Sequence, residues 1–132
     1  MSYDQYAQTF SKSRQHHPWP ELEYIIEDMI HRKVQSVLDI GCGNGRFLEE
    51  IHHVSFAVHT YLGIDSSQGM IDEAKRLHPE YSFEVCDMRT IHHSPFTIHH
   101  FDSLLLLASF HHLETYEVRL QVLRDMKLFL KP

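Results

Sequence analysis

Three glycines at alternate positions, Gly41, Gly43 and Gly45, have the type and spacing needed to hold a ligand against the backbone. They follow a short apolar run at 34–40 and precede a segment with helical periodicity, so the pattern predicts a strand–loop–helix turn. Glycine adopts positive φ and lets a ligand approach the backbone, because no Cβ stands in the way. The first N–H groups of the next helix would face that ligand, which favours an anion or a nucleotide.

The spacing of this loop disfavours two common nucleotide-binding motifs. The dinucleotide fingerprint requires its third glycine at the position of Arg46, and the P-loop requires a Gly-Lys-Ser/Thr sequence that the chain lacks. An oxidoreductase that uses NAD is therefore a weak alternative. Asp65 ends the next predicted strand, where its carboxylate can accept hydrogen bonds from both hydroxyls of a ribose. Together the loop and this acid predict a nucleoside pocket.

The composition predicts one globular domain over 1–132, since 42% of the residues are hydrophobic and 23% are charged. No apolar run is long enough to span a bilayer, and no signal peptide is recognisable. Two cysteines without a CxxC motif indicate a reducing compartment, and we expect a cytoplasmic protein. The net charge of −6 disfavours autonomous nucleic-acid binding, although residues 12–17 form a small basic cluster.

Helical and strand patterns alternate along the chain. Apolar residues recur at three- and four-residue spacing in the helical segments, and short β-branched or alternating runs separate them. The predicted order is a helix at 20–32, a strand at 34–40, a short helix with Phe47, Leu48 and Ile51 on one face, a strand at 61–64, a helix at 67–77, a strand at 81–86, a loop with one helical turn at 88–100, a strand at 102–108 and a helix at 115–130. This order predicts an α/β fold, a Rossmann-like parallel sheet with helices on both faces.

Four motifs resemble those of class I S-adenosylmethionine (SAM)-dependent methyltransferases. The first is Asp39-x-Gly41-x-Gly43-x-Gly45, the second is Leu62-Gly63-Ile64-Asp65, the third is Cys86-Asp87-Met88, and the fourth spans 101–113. The segment 128–132 also resembles the one that precedes the family's fifth strand, and together these pieces cover about residues 34–132 in the family's order and spacing. The resemblance implies a methyltransferase with SAM as cofactor, S-adenosylhomocysteine as product and a strand order of 3-2-1-4.

The resemblance also assigns the cofactor-binding residues, with Asp65 on the ribose and Asp87 on the adenine amino group. Neither cysteine has an activating base beside it, so both are expected to line the pocket and not to act as nucleophiles. The predicted cofactor-binding set is Tyr6, Arg14, Trp19, Asp39, Gly41, Cys42, Gly43, Asn44, Gly45, Asp65, Ser66, Met70, Cys86, Asp87, Met88, Ala108 and Ser109.

The segment 3–20 is similar to the start of tRNA wobble-uridine carboxymethyl methyltransferases and their bacterial relatives. The resemblance implies that residues 1–20 fold as a lid over the SAM pocket of a core at 21–132. Arg14 would then pair with the methionine carboxylate of SAM in a bidentate geometry. An equally good interpretation of Trp19 is that it packs the first helix onto the sheet. Similar lead-ins occur in small-molecule methyltransferases, so the acceptor is either tRNA or a small molecule.

Histidine is abundant, with thirteen residues that include five adjacent pairs. His111 and His112 follow the fourth predicted strand, at the sheet edge where open α/β folds bind ligands. They are the candidate catalytic residues, as a base or as groups that position the acceptor; the alternative is that they shape the pocket by their backbone alone. Neighbouring histidines on a strand point to opposite faces, so no metal site is expected.

The family continues past the segment 128–132 into a fifth strand and a hairpin, so the resemblance implies a sheet truncated after the fourth strand and its helix. The fourth strand would then be an apolar edge at 104–107, which is prone to pairing. We expect a homodimer or other self-association, or a partner protein, to cover this edge. The shortened sheet also keeps open a second function, a SAM-binding module without activity of its own that serves as a partner or regulatory subunit.

Overall fold

The elements alternate as the sequence predicts, in a computed structural model that describes residues 20–53, 56, 58–94, 100–106 and 115–131. In chain order they are α1 (Pro20–His31), β1 (Ser36–Ile40), α2 (Arg46–His53), β2 (Thr60–Asp65), α3 (Gln68–Leu77), β3 (Ser82–Val85), a 3₁₀ helix (Met88–His93), β4 (Ser103–Leu105), α4 (Tyr116–Met126) and a 3₁₀ turn (Lys127–Phe129).

Several boundaries differ from the predicted ones: β4 ends at Leu105 and not at residue 108, and α4 ends at Met126 and not at residue 130. Two other differences have clear local reasons. The 3₁₀ helix occupies much of the predicted loop, because Asp87 caps it by accepting a hydrogen bond from the N–H of Arg89. Strand β1 begins at Ser36 and not at Val34, since Lys33 has a φ of 59° and Val34 donates its N–H back to the carbonyl of Met29.

The strands form a parallel sheet in the order β3-β2-β1-β4, which confirms the predicted 3-2-1-4 arrangement. Asp39 in β1 stands beside Gly63 in β2, and Asp65 at the end of β2 stands beside Val85. All four strands point the same way, so their carboxyl ends meet at one edge. Every residue of β1 is buried, as expected of a central strand covered on both faces.

Two apolar cores lie on opposite faces of the sheet, which confirms the prediction of helices on both faces. On one face, α1, α2 and α3 pack against Val37, Tyr61 and Phe83. On the other face, the 3₁₀ helix and α4 pack against Ile40 and Ile64. Full burial of one such aliphatic side chain contributes roughly 1.5–3 kcal/mol, so these layers hold the strand ends in position.

The amino edge of the sheet is held by Asp102, which immediately precedes β4. Its Oδ2 accepts hydrogen bonds from the N–H groups of Gln35 at 2.8 Å and Ser36 at 3.1 Å. The hydroxyl of Ser36 accepts one in return from the N–H of Asp102 at 2.8 Å, and Lys131 Nζ lies 3.1 Å from Asp102 Oδ1. These donors lower the pKa of Asp102, with the N–H of Gln35 the largest cause.

Asp102→Ala is expected to lower the free energy of unfolding by about 1–2 kcal/mol, because charge-assisted hydrogen bonds at the start of β1 are lost. Since the folded pKa of Asp102 is depressed, the wild-type advantage is present above the ordinary pKa and disappears as the pH falls through the folded value. Urea unfolding at neutral and acid pH measures both effects. The control is Asp28→Ala, which removes an exposed ion pair with Arg32 and should change stability by at most about 0.5 kcal/mol. Equal losses in the two variants would contradict the role of Asp102.

The chain just before β4 is paired with the segment that follows α4. Phe101 and Leu130 form a parallel bridge, in which the N–H of Phe101 donates to the carbonyl of Phe129 at 2.7 Å and the N–H of Lys131 donates to the carbonyl of Phe101 at 3.0 Å. This bridge lies just ahead of β4 and does not reach the predicted apolar edge at 104–107. Self-association or partner binding along β4 stays a prediction.

Within the described ranges, no helix is both long enough and apolar enough to cross a bilayer.

Candidate functional site

The glycine loop leaves the end of β1 and crosses the end of β2. Gly41, Gly43 and Gly45 all have positive φ, at 73°, 57° and 91°. The N–H groups of Gly41 and Cys42 both donate to the carbonyl of Ile64, at 2.8 and 2.9 Å. This path brings the loop over β2 before α2 starts, and only residues that tolerate positive φ can follow it.

Two glycines of the loop serve different purposes. Among the described residues, the atom nearest to a methyl group on Gly43 would be Met70 Sδ at 4.0 Å, so a ligand can approach the backbone here. A methyl group on Gly45 would lie 2.7 Å from Cδ2 of His78, so this glycine is required for packing. His78 is 4% exposed, and its Nε2 has no hydrogen-bond partner in the ranges that the structure describes. Burial is the main cause that lowers the pKa of His78.

Asp65 ties the loop to the start of α3. Its Oδ2 accepts the N–H of Gly43 at 2.9 Å, and its Oδ1 accepts the N–H of Ser67 at 2.9 Å. Ser67 in turn caps α3 by accepting the N–H of Met70. The sequence predicts Asp65 as a ribose ligand, and the structure adds that it holds the loop. A carboxylate has about four acceptor positions, so the two roles are compatible.

Asp39 is buried behind the loop, with 1% of its surface exposed. The hydroxyl of Tyr61 donates to Asp39 Oδ2 at 2.7 Å, whereas Oδ1 is buried and has no hydrogen-bond partner in the described part of the chain. Burial raises the pKa of Asp39 from 3.8 to about 7; the hydrogen bond from Tyr61 opposes this rise and the charge of Asp65 adds to it.

Gly63 allows Tyr61 to reach Asp39. A methyl group at Gly63 would lie 2.9 Å from the hydroxyl oxygen of Tyr61, 2.9 Å from Cys42 Sγ and 2.8 Å from Cδ1 of Phe83. Sequence reasoning missed Tyr61 as a site residue. The available signal was period-2 alternation, which puts Tyr61, Gly63 and Asp65 on one face of β2.

A cavity of about 470 Å³ opens at the ends of β2 and β3, lined by Ser66, Val85, Cys86, Asp87, Thr90, His93 and Ser94. The N–H of Cys86 donates to the carbonyl of Asp65 at 2.9 Å, which puts the second and third motifs side by side. The guanidinium of Arg89 forms an ion pair with Asp87 and is the main cause that lowers the pKa of this carboxyl. Burial raises the pKa of Cys86, so its thiol is protonated at neutral pH and is a poor nucleophile.

The described predicted residues gather at the carboxyl edge of the sheet in two adjoining groups. Asp39, the glycine loop with Cys42 and Asn44, and Met70 surround Asp65, while Ser66, Cys86 and Asp87 line the cavity beside it. Met88 packs into the core under α4 and does not line this cavity. Thr90, His93 and Ser94 were not predicted, because no motif marks them. Seven predicted residues lie outside the described part of the chain: Tyr6, Arg14, Trp19, Ala108, Ser109, His111 and His112.

Over the same described part, no three His, Cys, Asp or Glu side chains come together as a metal ion would need. Burial also raises the pKa of Cys42 well above its ordinary value, so this thiol is protonated at neutral pH.

A family model described as a methyltransferase domain matches residues 37–132. The chain belongs to this methyltransferase family. The fold and the motifs are those of its class I SAM-dependent members, so the cofactor is SAM. The methyltransferase domain is 32% identical over 125 residues to the tRNA (carboxymethyluridine(34)-5-O)-methyltransferase of Saccharomyces cerevisiae. The aligned region covers 94% of this chain and 40% of that protein.

Further relatives support the same family. The domain is 31% identical to the Xenopus tropicalis tRNA (carboxymethyluridine(34)-5-O)-methyltransferase alkbh8, over 98% of this chain and 18% of that protein. A solved structure of SAM-bound CalS10, an amino pentose methyltransferase from Micromonospora echinaspora, superimposes with a TM-score of 0.75 at 19% identity, over 94% of this chain and 52% of that one. The structural likeness shows the fold. The chain spans less than half the length of the two curated relatives.

The residues of the methyltransferase domain fit SAM on three observations. There is room for a ligand beside the backbone of Gly43. One buried oxygen of Asp39 has no partner among the described residues, which suits a nearby ligand that carries positive charge. The cavity next to Asp65 contains Asp87, a hydrogen-bond acceptor for an exocyclic amine.

Proposed function

We propose that this domain binds SAM across the carboxyl ends of β1, β2 and β3 and transfers its methyl group to a carboxylate on the wobble uridine of tRNA. The observation that carries SAM binding is the clamp between Asp65 and the N–H of Gly43, at 2.9 Å, beside open space. The tRNA acceptor rests on the two relatives, whose similarity extends over 94% and 98% of the chain.

Each group of residues has a distinct task in this proposal. Asp65 orients the ribose, the cavity lined by Cys86 and Asp87 takes the adenine, and Asp39 faces the positively charged part of the cofactor. The site residues outside the described part would complete the pocket: Tyr6, Arg14 and Trp19 in a lid formed by residues 1–20, and Ala108 and Ser109 after β4.

When bound, SAM supplies an activated methyl group on a sulfonium. The contribution of the protein is orientation, because holding two reactants in line at near-attack distance removes much of the barrier. A carboxylate acceptor is already an anion, so no side chain has to remove a proton from it. His111 and His112 would therefore position the acceptor, and they would act as a base only for an amine or hydroxyl.

A second candidate function is a SAM-binding module that works through a partner protein. The two curated relatives are longer than this chain, which corresponds to 40% of the yeast protein and 18% of the frog one, so methyl transfer by this domain alone needs a test of its own. Both candidates require the same cofactor site, and they differ in whether the purified chain transfers a methyl group.

Asp65→Ala is expected to weaken SAM binding by about 1–3 kcal/mol, because hydrogen bonds to the ribose are lost and the N–H of Gly43 loses its acceptor. Isothermal titration with SAM measures this, with NAD as the competing ligand. Asp72→Ala is the control, since Asp72 is an exposed acid on α3 that contacts Gln68. Unchanged affinity in Asp65→Ala would mean that the pocket lies elsewhere, and binding of NAD without SAM would overturn the proposal.

Transfer of label from radioactive SAM then separates the two candidates. Label in bulk tRNA, released as methanol by mild alkali as a methyl ester requires, supports the proposed acceptor. Label only in a pool of small metabolites would replace tRNA with a small molecule. SAM binding with no labelled product from either source would favour the module that depends on a partner.

A further inference from the structure

Asp39 is in an unusual position for a carboxyl group that is only 1% exposed. One oxygen accepts a hydrogen bond from the hydroxyl of Tyr61 at 2.7 Å, and the other is buried without a hydrogen-bond partner among the residues that the structure describes. An ionised carboxylate buried in this way is costly unless a positive charge or further donors satisfy it. Within its described part, the folded chain supplies no such partner for the second oxygen of Asp39.

In the described part of the chain, the titratable groups that act on Asp39 all become negative when they ionise. They are Tyr61 on β2, Asp65 at the end of β2 and Cys42 in the glycine loop, with Tyr81 behind Tyr61. In the described part of the chain, no lysine, arginine or histidine forms an ion pair with Asp39. Burial is the main reason that the pKa of Asp39 rises to about 7. At and below neutral pH the empty site therefore retains a proton that an exposed aspartate would have lost.

We propose that Asp39 and Tyr61 form a proton-exchanging subsite, in which Asp39 is protonated in the empty protein and releases its proton to solvent when the positively charged part of SAM binds. This inference rests on the proposed cofactor site. The exchange is balanced: one O–H bond of the carboxyl group breaks, the proton goes to the buffer, and the new carboxylate faces the cationic ligand. SAM affinity consequently rises with pH across the range in which the empty site loses its proton.

Tyr61 acts as a positioning residue for Asp39. Its O–H donates to Oδ2 and so favours the ionised carboxylate, which opposes the effect of burial. Gly63 leaves the space through which the tyrosine hydroxyl reaches the acid. Without this hydroxyl, Asp39 would hold its proton to a higher pH, and the rise in SAM affinity would move with it.

The test is isothermal titration of SAM into the full chain, in buffers of different ionisation enthalpy between about pH 6 and 8.5. The slope of the measured binding enthalpy against the ionisation enthalpy of the buffer gives the number of protons released. We expect nearly one proton released at about pH 6 and almost none at about pH 8.5, with affinity rising by up to about tenfold per pH unit below pH 7. Asp39→Asn should release no proton and show a nearly constant affinity.

Two further variants make the test specific. Tyr61→Phe should move the proton-release curve to higher pH, an effect that a merely structural role would not produce. Asp125→Asn is the matched control, because Asp125 is also buried, at 7% exposure, but lies on α4 and accepts a hydrogen bond from Gln121. It should release protons as the wild type does. Circular dichroism establishes that each variant folds. If Asp39→Asn does not fold, carbon-13 NMR of the aspartate carboxyl groups in the unliganded wild type follows the titration of Asp39 directly.

The possible failures are distinguishable. SAM binding without proton release at about pH 6, or equal release by wild type and Asp39→Asn, would overturn this inference and leave the cofactor site intact. An aspartate carboxyl set that finishes its titration at ordinary acidic pH would overturn it as well. Absence of SAM binding at every pH would overturn the proposed function itself.

Discussion

Gly45→Ala is expected to lower the free energy of unfolding by about 3 kcal/mol, whereas Gly43→Ala should cost only about 1 kcal/mol. The added methyl group at Gly45 lies 2.7 Å from Cδ2 of His78 and 3.1 Å from its Nε2, and φ is 91°, outside the region that alanine tolerates. At Gly43 the φ of 57° is in the left-handed region and the nearest atom is 4.0 Å away. Urea unfolding of the two variants measures the difference.

The same pair should behave in the opposite way toward SAM. Gly43→Ala fills the space beside the loop where the proposed ligand approaches, so we expect a large loss of affinity in a protein that still folds. For Gly45→Ala, we expect SAM binding to decrease only in proportion to the fraction of the protein that is unfolded. Titration at a temperature where both variants are folded tests this. A folded Gly43→Ala variant with wild-type affinity would contradict the assignment of ligand space beside Gly43.

A double-mutant cycle isolates the contact with His78. In a His78→Ala background the ring is gone, so Gly45→Ala should cost only the backbone strain, about 1–2 kcal/mol. The difference from the wild-type background is the steric part of the effect. If Gly45→Ala costs the same in both backgrounds, the ring of His78 is not the reason that position 45 requires glycine.

The stability of the domain is expected to fall as the pH rises from about 4 to about 7, by up to about 4 kcal/mol, because of Asp39 alone. Burial raises the folded pKa of Asp39 from 3.8 to about 7, while the unfolded chain ionises at its ordinary pKa. The folded state therefore retains a proton that the unfolded state loses. The stabilising contribution is complete below the unfolded pKa and is lost as the pH rises through the folded pKa.

Asp39→Asn should remove this slope, so that the variant matches the wild type near pH 4 and exceeds it in stability near pH 8. Urea unfolding across this range gives the two curves. Asp102→Ala serves as the contrasting variant, because the pKa of Asp102 is lowered and its contribution has the opposite sign. Parallel curves for wild type and Asp39→Asn would show that Asp39 ionises freely in the folded protein.

Much of the fold follows from local patterns in the sequence. The apolar run of β1, the period of α3 and the alternation of β3 are each readable within ten residues, because side-chain periodicity depends only on the backbone geometry of one element. The resemblance of the motifs then implied the order of the strands, which the sheet confirms. The glycine loop was predictable for the same reason, since its positive φ values demand glycine whatever surrounds it.

The tertiary structure alone decided which chemical groups meet at the loop. Asp39 and Tyr61 are 22 residues apart, and only the register between β1 and β2, with Gly63 in between, brings the hydroxyl to the acid. Likewise, the sequence by itself could not distinguish Gly43 from Gly45, because the difference is the ring of His78, which arrives from the end of α3. Periodicity determines which face a residue occupies. Burial, the absence of a partner and the raised pKa of Asp39 depend on what other segments place beside it, and no local pattern encodes that.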